Sequence, residues 1–216
     1  MLRSLILAIV LVGLSITSAL SFSESDFRRL RETGQCEGCD LRAADLTGLF
    51  LVGAKLQNAN LEKARLTKAE LSKADLRAAN LTRANLQYAN LEQATMEEAI
   101  LRKADLTGVR LSGANLSGAS LYKVDAGVGA DFSGTICRGT NFYKSQLIDA
   151  NFQKADLTGA QFYKSHLYGA DLRATILMGA NFVGAVLIRA DLTGADTRGA
   201  VFWGANVVDI KGLSVK

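Results

Sequence analysis

Proline is absent from this 216-residue chain, and histidine (one), tryptophan (one) and cysteine (three) are scarce. Without proline every backbone N–H can donate, which suits a chain whose backbone is paired almost throughout. The single histidine, His166, and the cysteines Cys36, Cys39 and Cys137 lie too far apart along the chain to suggest the four-ligand set of a zinc site, so no metal is expected. A haem attachment would put histidine directly after Cys36-x-x-Cys39, and Asp40 stands there. A strong charge of one sign is also missing: 25 Lys and Arg against 21 Asp and Glu leave only +4. That balance is only mildly basic. The longest unbroken apolar run, Leu5 to Leu14, is short of the ~20 residues that a spanning helix needs.

What the chain does have is a period of five. In ANLTRANLQYANL, Ala79 to Leu91, an Ala, an Asn and a Leu return every five residues. Five fits neither a 3.6-residue helix nor a two-residue strand alternation, so the chain must turn within each unit. If each unit is a short extended piece plus a corner, the Leu (the centre) and the Ala two before it point inward together. Asp or Asn between them can bond turn backbone. Gly fits two residues after the centre, where a corner needs a positive φ, and 14 of the 20 glycines fall there. Centres run from Leu41 to Ala126, resume one residue late at Phe132 and end at Val207; 29 of these 34 are Leu or Phe, too regular for chance.

This pattern resembles the pentapeptide-repeat family, whose unit reads A(D/N)LXX, over roughly residues 39–208. The resemblance implies an all-β solenoid, a right-handed quadrilateral β-helix with twenty residues per coil. At ~4.8 Å between stacked coils such a column is roughly 40 Å long. The slip at residues 127–129 is expected to be absorbed in a corner loop, with Gly127 and Gly129 supplying the freedom.

Before the repeats, Met1 to Ser23 has the layout of a secretory signal peptide: Arg3, the apolar run, then Ser18, Ala19, Ser21 and Ser23. The alternative is an uncleaved anchor. Residues 24–38 read as a short capping helix and a Cys-x-x-Cys junction: Ser23 with Asp26 suggests a capping box, Phe27 and Leu30 share a face, and Gly34 can end the helix. A helix there would cover the open first coil. In an exported protein, Cys36 and Cys39 are expected to form a disulfide, weighted toward a structural over a redox role, and Cys137 to be a buried inert thiol. Residues 209–216 form a C-terminal tail.

Nothing assembles a catalytic constellation. His166 points outward without a nearby nucleophile, and Asp45, Asp105, Asp156, Asp171 and Asp191 occupy the repeat's own turn-bonding place. No enzyme and no cofactor are expected. Stacking residues 20 apart, or 21 across the slip, instead aligns Lys63, Arg83, Lys103, Lys123, Lys144 and Lys164 in one column, beside Tyr122, Tyr143, Tyr163 and Trp203. Two explanations of this strip stand side by side. NFYKSQLIDANFQKADLTGA and QFYKSHLYGADLRATILMGA are copies, so duplication alone would repeat a surface; exposed aromatics beside a basic row are also enriched at recognition faces.

Two functional classes follow. The first is a non-enzymatic structural or interaction module in the periplasm or otherwise exported (the thylakoid lumen if the source is a cyanobacterium), meeting an unknown protein or an anionic surface. Nucleic acid fits the strip chemically, but an exported protein would seldom meet it. The resemblance also brings in a second class, the gyrase-binding DNA mimic, which the basic charge and the leader oppose. Either class leaves room for a homodimer contact at the C-terminal end.

Overall fold

The computed structural model describes residues 22–213. The expected signal peptide, 1–23, therefore lies almost wholly outside the described residues, as do the last three residues of the tail.

Between residues 35 and 211 the backbone pairs in parallel with itself one coil further on. The register is i to i+20 from Gln35↔Lys55 to Asp105↔Asp125, i to i+21 from Arg110↔Asp131 to Asp125↔Gln146, and i to i+20 again to Asp191↔Lys211. Each bridge is an isolated residue, because the chain turns before a strand can extend. At the corners the centre's carbonyl accepts from the N–H three residues later, as in Ala64 N to Leu61 O at 3.0 Å. The second corner residue has a positive φ whether it is glycine or not, for example Lys63 (58°), Tyr88 (58°) and Gly118 (69°). That combination is the type II pattern, and four such corners per twenty residues make a four-sided coil. The result is a solenoid of pentapeptide repeats. Asn and Asp before each centre close a second ring around it: Asn60 Oδ1 accepts from Glu62 N at 3.2 Å, and Asn141 Oδ1 from Tyr143 N at 2.9 Å.

The inward residues form one continuous apolar column. One side changes from Leu to Phe142, Phe162, Phe182 and Phe202, stacked at 4.8–4.9 Å with rings within 2° of parallel. Phe132 and Phe152 stack at 4.7 Å and meet this column edge-on, as in the 5.8 Å contact of Phe142 with Phe152. The phenyl rings crowd the lumen, and several neighbouring Ala positions become Thr135, Thr140, Ser145, Ser165 and Thr175. Each of these buried hydroxyls donates to a backbone carbonyl, for example Ser145 Oγ to Leu121 O at 2.6 Å.

The extra residue is taken up where expected. Ala126 and Ala130 both stay buried, and the corner between them carries Gly127 (φ 48°), an exposed Val128 and Gly129 (φ 87°), so register is kept on either side. A side chain at 127 would drive a Cβ to 2.6 Å from the Thr107 hydroxyl.

Two boundaries differ from the sequence expectation. The column starts at residue 35, not 39: Cys36 takes a centre position and Cys39 an Ala position, so the pair belongs to the first coil and is not a junction. Backbone pairing also reaches Lys211, into the expected tail, and Leu213 packs against the core.

The helix α1, Glu24–Thr33, lies before the first coil, with Ser23 as N-cap and Gly34 (φ 67°) as C-cap. Ser23 Oγ accepts from Asp26 N at 3.2 Å, but the reciprocal half of the capping box is missing. Ser23 N donates instead to Asp40 O, and the Asp26 carboxylate accepts from Asp40 N at 3.0 Å and pairs with Arg29. Asp26 is thus used to fasten α1 to the solenoid. Leu30 is the helix's fully buried side chain, with Phe27 half-buried beside it.

Candidate functional site

The second residue of each corner points its side chain out of the solenoid, so like residues at this place form a column on the surface. Along one corner the pairs run Glu62–Lys63, Thr82–Arg83, Arg102–Lys103, Tyr122–Lys123, Tyr143–Lys144, Tyr163–Lys164, Val183–Gly184 and Trp203–Gly204. The structure brings together Arg83, Lys103, Lys123, Lys144 and Lys164 as the sequence suggested. Lys63 also keeps its place in the column, but its Nζ lies 3.4 Å from Glu62, and Val183 sets Trp203 apart from the tyrosines. Trp203 is 79% exposed.

Arg102 also belongs to the strip, and sequence reasoning missed it. It sits 20 residues before Tyr122, an offset that would have revealed it, and its guanidinium lies 5.2 Å from the centre of the Tyr122 ring.

The tyrosines correct the sequence reading more deeply. They are half-buried and stack on one another, Tyr122 on Tyr143 at 5.4 Å and Tyr143 on Tyr163 at 5.2 Å. Lys123, Lys144 and Lys164 each place Nζ 5.0–5.3 Å from the centre of the preceding tyrosine ring. The rings are therefore engaged within the molecule. Each ring face attracts the ammonium beside it, which partly offsets the repulsion along the row. The Lys144 ammonium is pushed above its ordinary value, chiefly through the Tyr143 hydroxyl, so its charge is secure at neutral pH.

What sets this strip off is that its cations follow one another coil after coil, since Arg28, Arg31, Lys55, Lys68, Lys73, Lys154, Arg189 and Lys211 also lie outside the ion pairs among the described residues. Among the described residues, nine ion pairs engage Arg29, Arg42, Lys63, Arg65, Arg77, Arg110, Arg138, Arg173 and Arg198. None of the nine involves Arg83, Arg102, Lys103, Lys123, Lys144 or Lys164. Beside the C-terminal half of the strip runs an open cleft of about 550 Å³ lined by Lys123, Val124, Asp125, Lys144, Gln146, Lys164 and His166. His166 is exposed there, with Gln146 directly below it in the ladder. Lys123, Lys144, Lys164, Gln146 and His166 can each donate a hydrogen bond into the cleft, and Asp125 sets one carboxylate among them.

The cysteines are settled by position. Cys36 and Cys39 form a disulfide across the first corner, with Cα atoms 5.2 Å apart, and both are buried under α1. With a separation of three residues the closed loop is short, and the chain-entropy model gives it about 2 kcal/mol of stabilisation. Cys137 is buried in the lumen; burial pushes its thiol up to about 12, and Thr135 stands 3.3 Å away. Among the described residues no group of His, Cys, Asp and Glu could hold a metal ion, and no helix is long and apolar enough to cross a membrane.

With this geometry in view, the chain can be set beside known proteins. The family model for pentapeptide repeats matches in overlapping and separate stretches at residues 35–72, 51–83, 59–97, 79–118, 128–162 and 165–204, so the chain belongs to the pentapeptide-repeat family. No curated protein matches it in sequence. Solved structures similar to it include a trypsin-treated variant of QnrB1, a plasmid-mediated fluoroquinolone resistance protein, at 18% identity over 74% of this chain and 87% of that one, with a TM-score of 0.55. HetL, a protein involved in heterocyst differentiation regulation from the cyanobacterium Nostoc sp. strain PCC 7120, is 27% identical over 84% of this chain and 92% of its own, with a TM-score of 0.29. AT2G44920 from the Arabidopsis thaliana thylakoid lumen is 33% identical over 50% of this chain and 68% of its own, with a TM-score of 0.38. The likeness to QnrB1 concerns the fold alone.

Proposed function

We propose that this protein is a non-enzymatic interaction module, a right-handed quadrilateral β-helix working in an extracytoplasmic compartment such as the periplasm, whose basic strip docks an acidic protein face. The observation that carries the reading is the contiguity of the charge: six cations line one corner coil after coil, none of them in an ion pair among the described residues. Exposed rim charges of this kind set on-rate and partner choice and weaken with salt. The contact face comprises Arg83, Arg102, Lys103, Lys123, Lys144 and Lys164, ordered by Tyr122, Tyr143 and Tyr163; Lys63 and Trp203 mark its two ends. Export rests on the leader-like residues 1–23. The alternative role as a gyrase-binding DNA mimic is opposed by the net charge of +4, and the fold likeness to QnrB1 does not support it. A homodimer contact has its natural place at the C-terminal end, where Val201, Trp203 and Val208 are exposed.

The test compares wild type with the triple variant Lys123→Glu, Lys144→Glu, Lys164→Glu. Crosslinking and pull-down from the native compartment should recover partners with wild type, less so as salt rises, and not with the variant. The variant's melting temperature should be no lower, because the ladder's own repulsion is relieved. Recovery of the same partners by both proteins at the same salt would reduce the strip to a record of coil duplication. Fractionation into cytosol rather than periplasm would remove the compartment from the proposal.

A further inference from the structure

The surroundings of the Cys36–Cys39 pair are built for its reduced form as well as its oxidised one. Arg29 Nη2 points an N–H at Cys39 Sγ from 2.8 Å, and the Asp26 carbonyl oxygen lies 3.2 Å from Cys36 Sγ. A disulfide sulfur is a weak acceptor and has no proton to give. A thiolate at Cys39 would take the guanidinium as a charge-assisted partner, and a thiol at Cys36 would donate to the Asp26 carbonyl. Both contacts gain on reduction, and neither sulfur would be left buried without a partner.

We infer that Cys36 and Cys39 form a reversible dithiol–disulfide couple, with Cys39 as the thiolate and Arg29 as its positioning residue. In the reductive direction, the thiolate of an external dithiol attacks Cys36 Sγ. A new S–S bond forms to Cys36, the Cys36–Cys39 bond breaks, and its electron pair departs on Cys39 beside Arg29. The second thiol of the reductant, as thiolate, then attacks its own partner sulfur in the mixed disulfide and releases Cys36, which takes up a proton and turns it toward the Asp26 carbonyl. The reductant leaves as its disulfide, two electrons have moved to the protein, and the proton not kept on Cys36 passes to solvent. Attack requires access, since both sulfurs are buried beneath α1. The helix contributes a single fully buried side chain, Leu30, so few apolar contacts have to open for it to lift. Redox state and docking of α1 are thereby linked through Asp26, whose carboxylate holds Asp40 N and Arg29 while its carbonyl faces Cys36.

The experiment equilibrates the full chain in glutathione buffers of graded ratio, quenches with an alkylating agent and reads the oxidised fraction at Cys36 and Cys39 by mass spectrometry. Wild type should follow a two-electron transition within the glutathione range. Arg29→Gln should shift the midpoint toward more reducing potential by roughly 30 mV, a tenfold change in the equilibrium constant, and Arg29→Lys by less. As a readout that a purely structural bond would not move, Cys39 in a Cys36→Ser background should alkylate at lower pH than in the same background with Arg29→Gln. A pair that stays oxidised at every glutathione ratio, or midpoints that coincide in wild type and Arg29→Gln, would overturn the inference.

Discussion

Truncating Phe162 to alanine probes the part of the solenoid that the Leu-to-Phe change created. Its ring is fully buried, stacked on Phe142 and Phe182 at 4.8 Å each, and edge-on to Phe152 at 6.0 Å. Removing the ring takes away roughly 100 Å² of buried apolar area, about 2.5 kcal/mol at 25 cal/mol per Å². The vacated space is on the order of 100 Å³, and at about 24 cal/mol per Å³ an uncollapsed cavity adds up to ~2.4 kcal/mol. Collapse is resisted because the flanking residues Gln161, His166 and Asn181 are tied into the backbone ladder above and below, for example Phe162 N to Asn181 O at 2.7 Å. The expected loss is therefore about 4–5 kcal/mol, at the upper end for Phe to Ala. Phe202→Ala is the internal control: this ring is half-buried and has one stacking neighbour, Phe182 at 4.9 Å, so about half that loss is expected. Urea unfolding followed by circular dichroism, with midpoints compared at common slope, measures both. Equal losses for the two variants, or a loss under ~2 kcal/mol for Phe162→Ala, would refute the picture of a rigid stacked lumen.

Leu81→Asp should be strongly destabilising, by several kcal/mol, while Thr82→Asp should be nearly silent in the same unfolding assay, because the first buries an unpaired charge in a column one side chain wide. Cys137 should resist alkylation until the chain unfolds, since its thiol is buried and pushed up to about 12; rapid native-state labelling by mass spectrometry would contradict this. Acid should weaken the fold. Asp75 and Asp171 are held below the usual carboxylate range, first by their hydrogen bonds from Arg77 and Arg173, so the unfolded chain binds protons more readily. Their stabilisation is fully present above about pH 4 and is lost as pH falls toward the lower folded values; melting temperatures from about pH 6 to 2 should drop, and less so for Asp75→Asn. Gly212→Ala should loosen the C-terminal coil in hydrogen exchange, because a Cβ there would collide with the Thr193 backbone at a φ of 74°.

Much of the fold was legible because the repeat encodes it redundantly. Leu or Phe at the centre, Ala two before it, and Asn or Asp between them each report the same register, and the one-residue slip is visible because all three shift together. The boundaries were harder to read. Cys36 and Cys39 occupy inward positions of the first coil, but cysteine there breaks the Leu and Ala pattern by which the count proceeds, so the coil appeared to begin at Leu41. The capping box was half right for a similar reason. Ser23 and Asp26 have the spacing, yet Asp26 finds a better use on Asp40 N and Arg29, contacts between segments that local spacing does not specify.

The strip shows the same division between columns and contacts. An offset of 20 residues, 21 across the slip, aligns Lys123, Lys144 and Lys164 without any structure, and the 20-residue offset applied to the residue before each lysine aligns Arg102 with Tyr122. The offset does not tell which neighbours pair. Lys63 lies in the column but meets Glu62, whereas Lys144 lies in the column and meets a ring. Nor does it tell that the tyrosines stack on themselves at 5.2–5.4 Å. In a solenoid each coil repeats the backbone of the last, so the sequence determines where a side chain leaves the surface. Its chemistry is then set by what the adjacent coil and the adjacent corner place beside it, and there Lys123, Lys144 and Lys164 meet tyrosine rings where Lys63 meets a carboxylate.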